Sequence, residues 1–160
     1  MSRAVDQQVS MMADGREKGC YGGHRDGHGK GLRRQTATVN SSNPRLDVGA
    51  MPSAAGHDIV MIATNTSERL LPFRFGSGQT YDFVITDAMG KEVWRWSHDQ
   101  LFTQVLRSDS IRGNDKWRFD VVWDHRDNDG KKVPAGQYRL TGIIKSLPEV
   151  HSVPVTVDVR

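Results

Sequence analysis

One run of the chain limits its fold more than any other: Phe73 to Gln104, FRFGSGQTYDFVITDAMGKEVWRWSHDQLFTQ. It reads as two strands joined by a tight turn. Successive strand side chains point to opposite faces, so Tyr81, Phe83 and Ile85 share one face while Asp82, Val84 and Thr86 share the other. Asp87-Ala88-Met89-Gly90 is a hairpin loop, and Lys91 to Ser97 is the return strand. Trp94 and Trp96 lie two apart and project from one face with Glu92; Val93, Arg95 and Ser97 take the other. Indoles of this size dominate sandwich cores, so both are read as core residues. The sharper alternative is that part of the aromatic surface grips a partner, as tryptophans often anchor interfaces. Phe102 follows in a polar loop beside Thr103 and Gln104. It either caps the open end of the fold or stands at its tip.

Similar strand signals continue outside this run. Leu46 to Val48 is a first candidate and Thr36 to Asn40 another. Asp58 to Thr64, DIVMIAT, is apolar on both faces, as in a central strand. Asn65-Thr66-Ser67 is turn chemistry. Leu70 to Phe75 is a strand in which Pro72 suits an edge or bulge, and Gly76-Ser77-Gly78 turns the chain. Lys116 to Trp123 places Trp117, Phe119, Val121 and Trp123 on one face. Asp127-Asn128-Asp129-Gly130 turns again, and Gln137 to Lys145 and Val153 to Val159 close the pattern. Gln100 to Leu106 has room for a single helical turn. About seven or eight short strands with turns every 8–12 residues predict an all-β, antiparallel sandwich.

Charge divides the 160 residues unevenly. Residues 1–50 hold eight Lys/Arg against five Asp/Glu, and residues 51–160 hold fourteen of each. The basic excess therefore sits in the N-terminal part. A nucleic-acid interface needs it on the folded face, so no nucleic-acid partner is expected. Seven glycines fall between Gly15 and Gly31. Such a segment cannot offset its ordering entropy by burial, so residues 1–44 are expected to form a disordered, Gly/His-rich basic leader. Residues 45–160 are expected to form the domain. Met51, followed by Pro52, and Met11 and Met12 are candidate alternative starts. With Cys20 alone, no intrachain disulfide can form. No run has the ~20 apolar residues of a spanning helix. Arg33-Arg34 is followed by no hydrophobic region, and the expected location is cytoplasmic, with no membrane partner.

Motifs for chemistry are incomplete. In Asp124 to Gly136, DHRDNDGKKVPAG, Asp127, Asp129 and Gly130 imitate part of a calcium loop, but the ligand spacing fails. A hairpin loop with positive-φ residues is the better reading. Cys20, His24 and His28 supply three ligands where structural zinc takes four. Gly76-Ser77-Gly78 is not a nucleophile elbow. His57, His98, His125 and His151 are placed by no catalytic motif. No cofactor, metal or catalytic residue is therefore expected, and the chain is read as a binding module rather than an enzyme.

Phe75, Ser77-Gly78-Gln79, Tyr81-Asp82-Phe83, Gly90, Glu92-Val93-Trp94-Arg95-Trp96-Ser97 and Phe102-Thr103-Gln104 together resemble the BsuPI domain, the intracellular proteinase inhibitor family. Trp123-Asp124, Gly130, Val133 and Pro134-Ala135-Gly136-Gln137-Tyr138 resemble its closing hairpin, and Asn65-Thr66-Ser67 the start of its pattern. The resemblance spans roughly residues 46–159. It implies an immunoglobulin-like sandwich and inhibition of an intracellular serine protease of the subtilisin type. Phe75, Tyr81, Phe83, Trp94, Trp96, Trp123 and Tyr138 are then motif residues of the core. No reactive site carries over from the family. The candidate contact residues come from the loops Gly76–Thr80 and Ser97–Gln104: Ser77, Gln79, His98, Phe102 and Gln104. A rigid loop held extended binds a protease cleft at little ordering cost. The alternatives are an interaction module without inhibitory activity, and a sugar-binding sandwich using Trp94 or Trp96 as a platform.

Overall fold

The computed structural model describes residues 43–160. Among them lie ten strands and no helix: β1 (Arg45–Ser53), β2 (Gly56–Thr64), β3 (Leu71–Phe75), β4 (Tyr81–Thr86), β5 (Glu92–Arg95), β6 (Arg107–Ile111), β7 (Lys116–Trp123), β8 (Gly136–Ile144), β9 (Val150–His151) and β10 (Val155–Val159). The Thr36–Asn40 expectation lies outside the described residues, and Met51 falls inside β1.

Every strand pairing is antiparallel. The first sheet has the order β1-β2-β7 and the second β10-β8-β4-β5, with β9 also paired to β8. A two-stranded pair, β3-β6, completes the body. Alternation decides which face goes inward. In β2, Ile59, Met61 and Ala63 are buried, whereas Val60 and Ile62 lie on the outer face between β1 and β7. In β7, Phe119 and Trp123 are buried, with Trp117 and Val121 partly so. Opposite them stand Phe83 and Ile85 of β4, Tyr138, Leu140 and Ile144 of β8, and Val157 and Val159 of β10.

Aromatic contacts join the layers. Tyr81 stacks on Phe119 with ring centroids 4.4 Å apart, and Trp123 meets Tyr138 edge-on at 5.8 Å. Phe73 lies 5.0 Å from Trp117, so the β3-β6 pair packs onto the same core. Full burial of each large apolar side chain stabilises by roughly 1.5–3 kcal/mol.

Three expectations need correction. The strand count is ten rather than seven or eight, because β6 and β9 carry little apolar signal. Gln100 to Leu106 forms no helical turn; the chain turns at Trp96–Asp99 and then runs without regular structure to β6. Glu92 does not share the tryptophan face. A register shift between Ile85 and Thr86 turns it toward Arg95, 2.8 Å away.

Candidate functional site

Two loops meet where β3 ends and β4 begins. The amide of Gly78 donates to the Thr103 carbonyl at 2.8 Å, tying Gly76–Thr80 to the segment after β5. A Cβ on Gly78 would sit 2.6 Å from Thr103 Oγ1, so a side chain here would push the threonine hydroxyl aside.

Arg107, the first residue of β6, braces the shorter loop. Its Nε donates to the Ser77 carbonyl at 3.0 Å, and its Nη2 donates to the Gly78 carbonyl at 3.4 Å and to Thr80 Oγ1. Its guanidinium also lies 4.1 Å from the centroid of the Phe75 ring. A planar fork spreads its donors over three nitrogens in fixed directions, a span that the single nitrogen of an ammonium does not reproduce. Nothing in the local sequence singles out Arg107, since its partners lie 27–30 residues away.

The longer loop starts from a buried charge. Asp82 is 1% exposed. Its carboxylate accepts from the Phe83 amide at 2.9 Å, the Ser97 amide at 3.1 Å, Ser97 Oγ at 2.6 Å and Arg95 Nη1 at 2.9 Å. Four donors compensate for the lost hydration. They also fix where the chain leaves β5.

The contact candidates divide into two kinds. Ser77 and Gln79 are half-buried and engaged inside their loop: the Gln79 amide donates to Ser77 Oγ at 3.1 Å, and Gln79 Nε2 donates to the Tyr81 carbonyl at 3.0 Å. His98 and Gln104 are exposed. Phe102 is half-buried, its ring 6.1 Å from Trp96. Trp96 stacks in turn on Tyr81 at 4.4 Å, and Trp94 lies 6.3 Å from Trp123. Both indoles are half-buried against the core, as is Tyr81, whereas Phe75, Phe83, Trp123 and Tyr138 are buried. Burial, with Asp120 and Asp82 nearby, holds the Tyr81 hydroxyl above its usual pKa.

Leu101 did not stand out in the sequence, and it is fully exposed. Val105 and Leu106 on the same segment are exposed as well. An isolated exposed leucine has no periodicity by which a sequence could mark it.

Elsewhere, an open hollow of about 590 Å³ lies on the outer face of the first sheet, lined by Gly49, Met51, Val60 and Val122 among others. At the far end of the sandwich, His57 Nδ1 lies 2.6 Å from His125 Nε2. Among the described residues, no three His, Cys, Asp or Glu side chains gather as a metal would require. Among the same residues, no helix is long and apolar enough to cross a membrane.

Residues 45–149 match the family model BsuPI, described as intracellular proteinase inhibitor. No curated protein matches the chain.

Proposed function

The chain belongs to the BsuPI family of intracellular proteinase inhibitors, and on that premise we propose that it binds an intracellular serine protease of the subtilisin type and blocks it without catalysing any reaction. The observation that carries this reading is the segment Ser97–Leu106. From Gln100 to Leu106 it has no regular structure. It exposes Leu101, Val105 and Leu106, yet it is tied down by the Gly78–Thr103 hydrogen bond and by Phe102 against Trp96. A protease cleft takes an extended chain, and a loop already held in place loses little further freedom on binding. His98, Phe102 and Gln104 are its flanking contacts. Ser77 and Gln79 support it from the neighbouring loop. A cytoplasmic location goes with this reading, since the family is described as intracellular.

Titration of the purified chain into a subtilisin-type intracellular protease tests the proposal. Peptidase activity should fall in proportion to inhibitor added, to near zero at equivalence. Undiminished activity at stoichiometric excess would overturn it. The alternative of an interaction module without inhibitory activity draws on the apolar hollow at Met51, Val60 and Val122. It predicts that Met51→Asp abolishes partner binding while changes at Leu101 do not.

A further inference from the structure

We infer that Leu101 is the primary specificity residue, the side chain that enters the protease's main recognition pocket, and that the proteases blocked are those with a large apolar pocket. This rests on the inhibitory reading of the Ser97–Leu106 segment.

Leu101 is 100% exposed. Its neighbours are not free. The Gln100 side-chain amide donates to the Trp96 carbonyl at 2.9 Å, reaching back over the turn. The Phe102 ring lies beside the Trp96 ring. The Thr103 carbonyl accepts from Gly78, itself held by Arg107. Leu101 therefore projects between anchored residues on both sides. An apolar side chain kept wholly in water gains nothing for the fold and gains most on transfer to an apolar pocket. Preordered flanks lower the cost of that transfer.

Met89, Met51, Val122 and Leu106 are exposed as well but do not share this arrangement. Met89 is 91% exposed but sits in the tight turn Asp87–Gly90, where Gly90 has φ of 81° and its amide donates to the Asp87 carbonyl. That curled backbone does not fit a cleft built for extended chain. Met51 and Val122 lie within paired strands. Leu106 abuts β6, where pairing with β3 begins at once.

The experiment measures inhibition constants for the wild-type chain and for Leu101→Asp, Leu101→Phe and Leu101→Arg against two proteases. One is a subtilisin-type enzyme with a large apolar pocket, and the other is trypsin, whose pocket takes a cationic side chain. Leu101→Asp should weaken inhibition of the first roughly 100-fold or more, as for an anchor residue. Leu101→Phe should stay within about tenfold, because the pocket accepts either apolar side chain. Leu101→Arg should lose the subtilisin-type enzyme and gain trypsin. Met89→Asp, on an exposed turn elsewhere, should match wild type. If wild type inhibits and Leu101→Asp inhibits equally well, the Leu101 assignment fails while the inhibitory function stands. If wild type inhibits neither enzyme, that function fails and the assignment falls with it. Since Leu101 is fully exposed, circular dichroism should show all three variants folded.

Discussion

Two long loops of this sandwich look alike in sequence and behave differently in structure. Ser97–Leu106 follows β5, and Asp124–Ala135 joins β7 to β8; both are polar and lack strand periodicity. The second is closed on itself. Asp127 accepts through its side chain from the amides of Asp129 and Lys131, and through its carbonyl from Gly130. Asn128 then lies along the free edge of β5, donating to the Val93 carbonyl and accepting from the Arg95 amide. Its polar groups complete the architecture and cover an edge that would otherwise invite pairing with another chain. Ser97–Leu106 is tied at fewer points, at Ser97, Gln100 and Thr103, and turns Leu101, Val105 and Leu106 outward. Loop polarity alone does not mark function. What separates a bracing loop from a presenting one is whether its donors and acceptors are spent inside the molecule.

The strongest attempt to break this contrast is Asp82→Ala. It removes the carboxylate that four donors share and leaves Arg95 without its buried partner. A loss of about 3 kcal/mol in stability follows, read as a lower denaturation midpoint. Inhibition should fall with it, because Ser97 loses its seat. An unchanged midpoint would mean that the loop's origin is fixed by something else.

Arg107→Ala is gentler on the fold and selective for the presenting loop. The lost hydrogen bonds and ring contact should cost about 1–2 kcal/mol in stability. Inhibition should weaken roughly tenfold, because Gly78 then holds Thr103 less firmly. Arg107→Lys should recover little of this, since a point charge cannot serve the same acceptors. Equal inhibition by wild type and both variants would show that the brace is unrelated to presentation.

Asp127→Ala sharpens the contrast from the other side. It deletes the acceptor for two amides in an exposed turn, a change worth about 1 kcal/mol. The inhibition constant should not move. A matching loss of inhibition would show that both loops touch the protease.

Much of the bracing architecture was legible in the sequence, because it follows from local chemistry. The alternation in Lys116–Trp123 and the Asp-x-x-Gly turns ending at Gly90 and Gly130 need only neighbouring residues. The missing parts are those set by distant partners. RSDSI in β6 has one apolar residue and becomes a strand only by pairing with β3. Glu92 changed face because of a bulge that no alternation pattern reports. Gln100–Leu106 offered a helical turn, yet its Thr103 carbonyl is taken by the Gly78 amide of a distant loop. At the candidate site, Ser77 and Gln79 drew notice as polar loop residues, but their groups are used internally. Leu101 drew none, because exposure is a property of the fold.

The smallest expected effect is one of pH, and it belongs to the end of the molecule where the bracing loop departs. His57 and His125 are 68 positions apart in sequence, with Nδ1 and Nε2 2.6 Å apart in space, and His125 has φ of 62°. At that distance one nitrogen must donate and the other accept, so the pair tolerates one shared proton and not two facing ones. Burial, then the neighbouring His125, lowers the pKa of His57; Asp158 and Asp58 pull the other way without prevailing. The unfolded chain takes up this proton near pH 6.5 and the folded chain only at lower pH. Below pH 6.5 the unfolded state therefore binds more protons, and stability declines as pH falls, levelling off once the folded pKa is passed. Well above pH 6.5 His57 carries no extra proton in either state and contributes no slope. Denaturation midpoints between pH 8 and pH 5 should show this decline in wild type and lose part of it in His57→Gln. A profile in which His57→Gln declines as steeply as wild type would remove the histidine pair from any part in the acid response of that end.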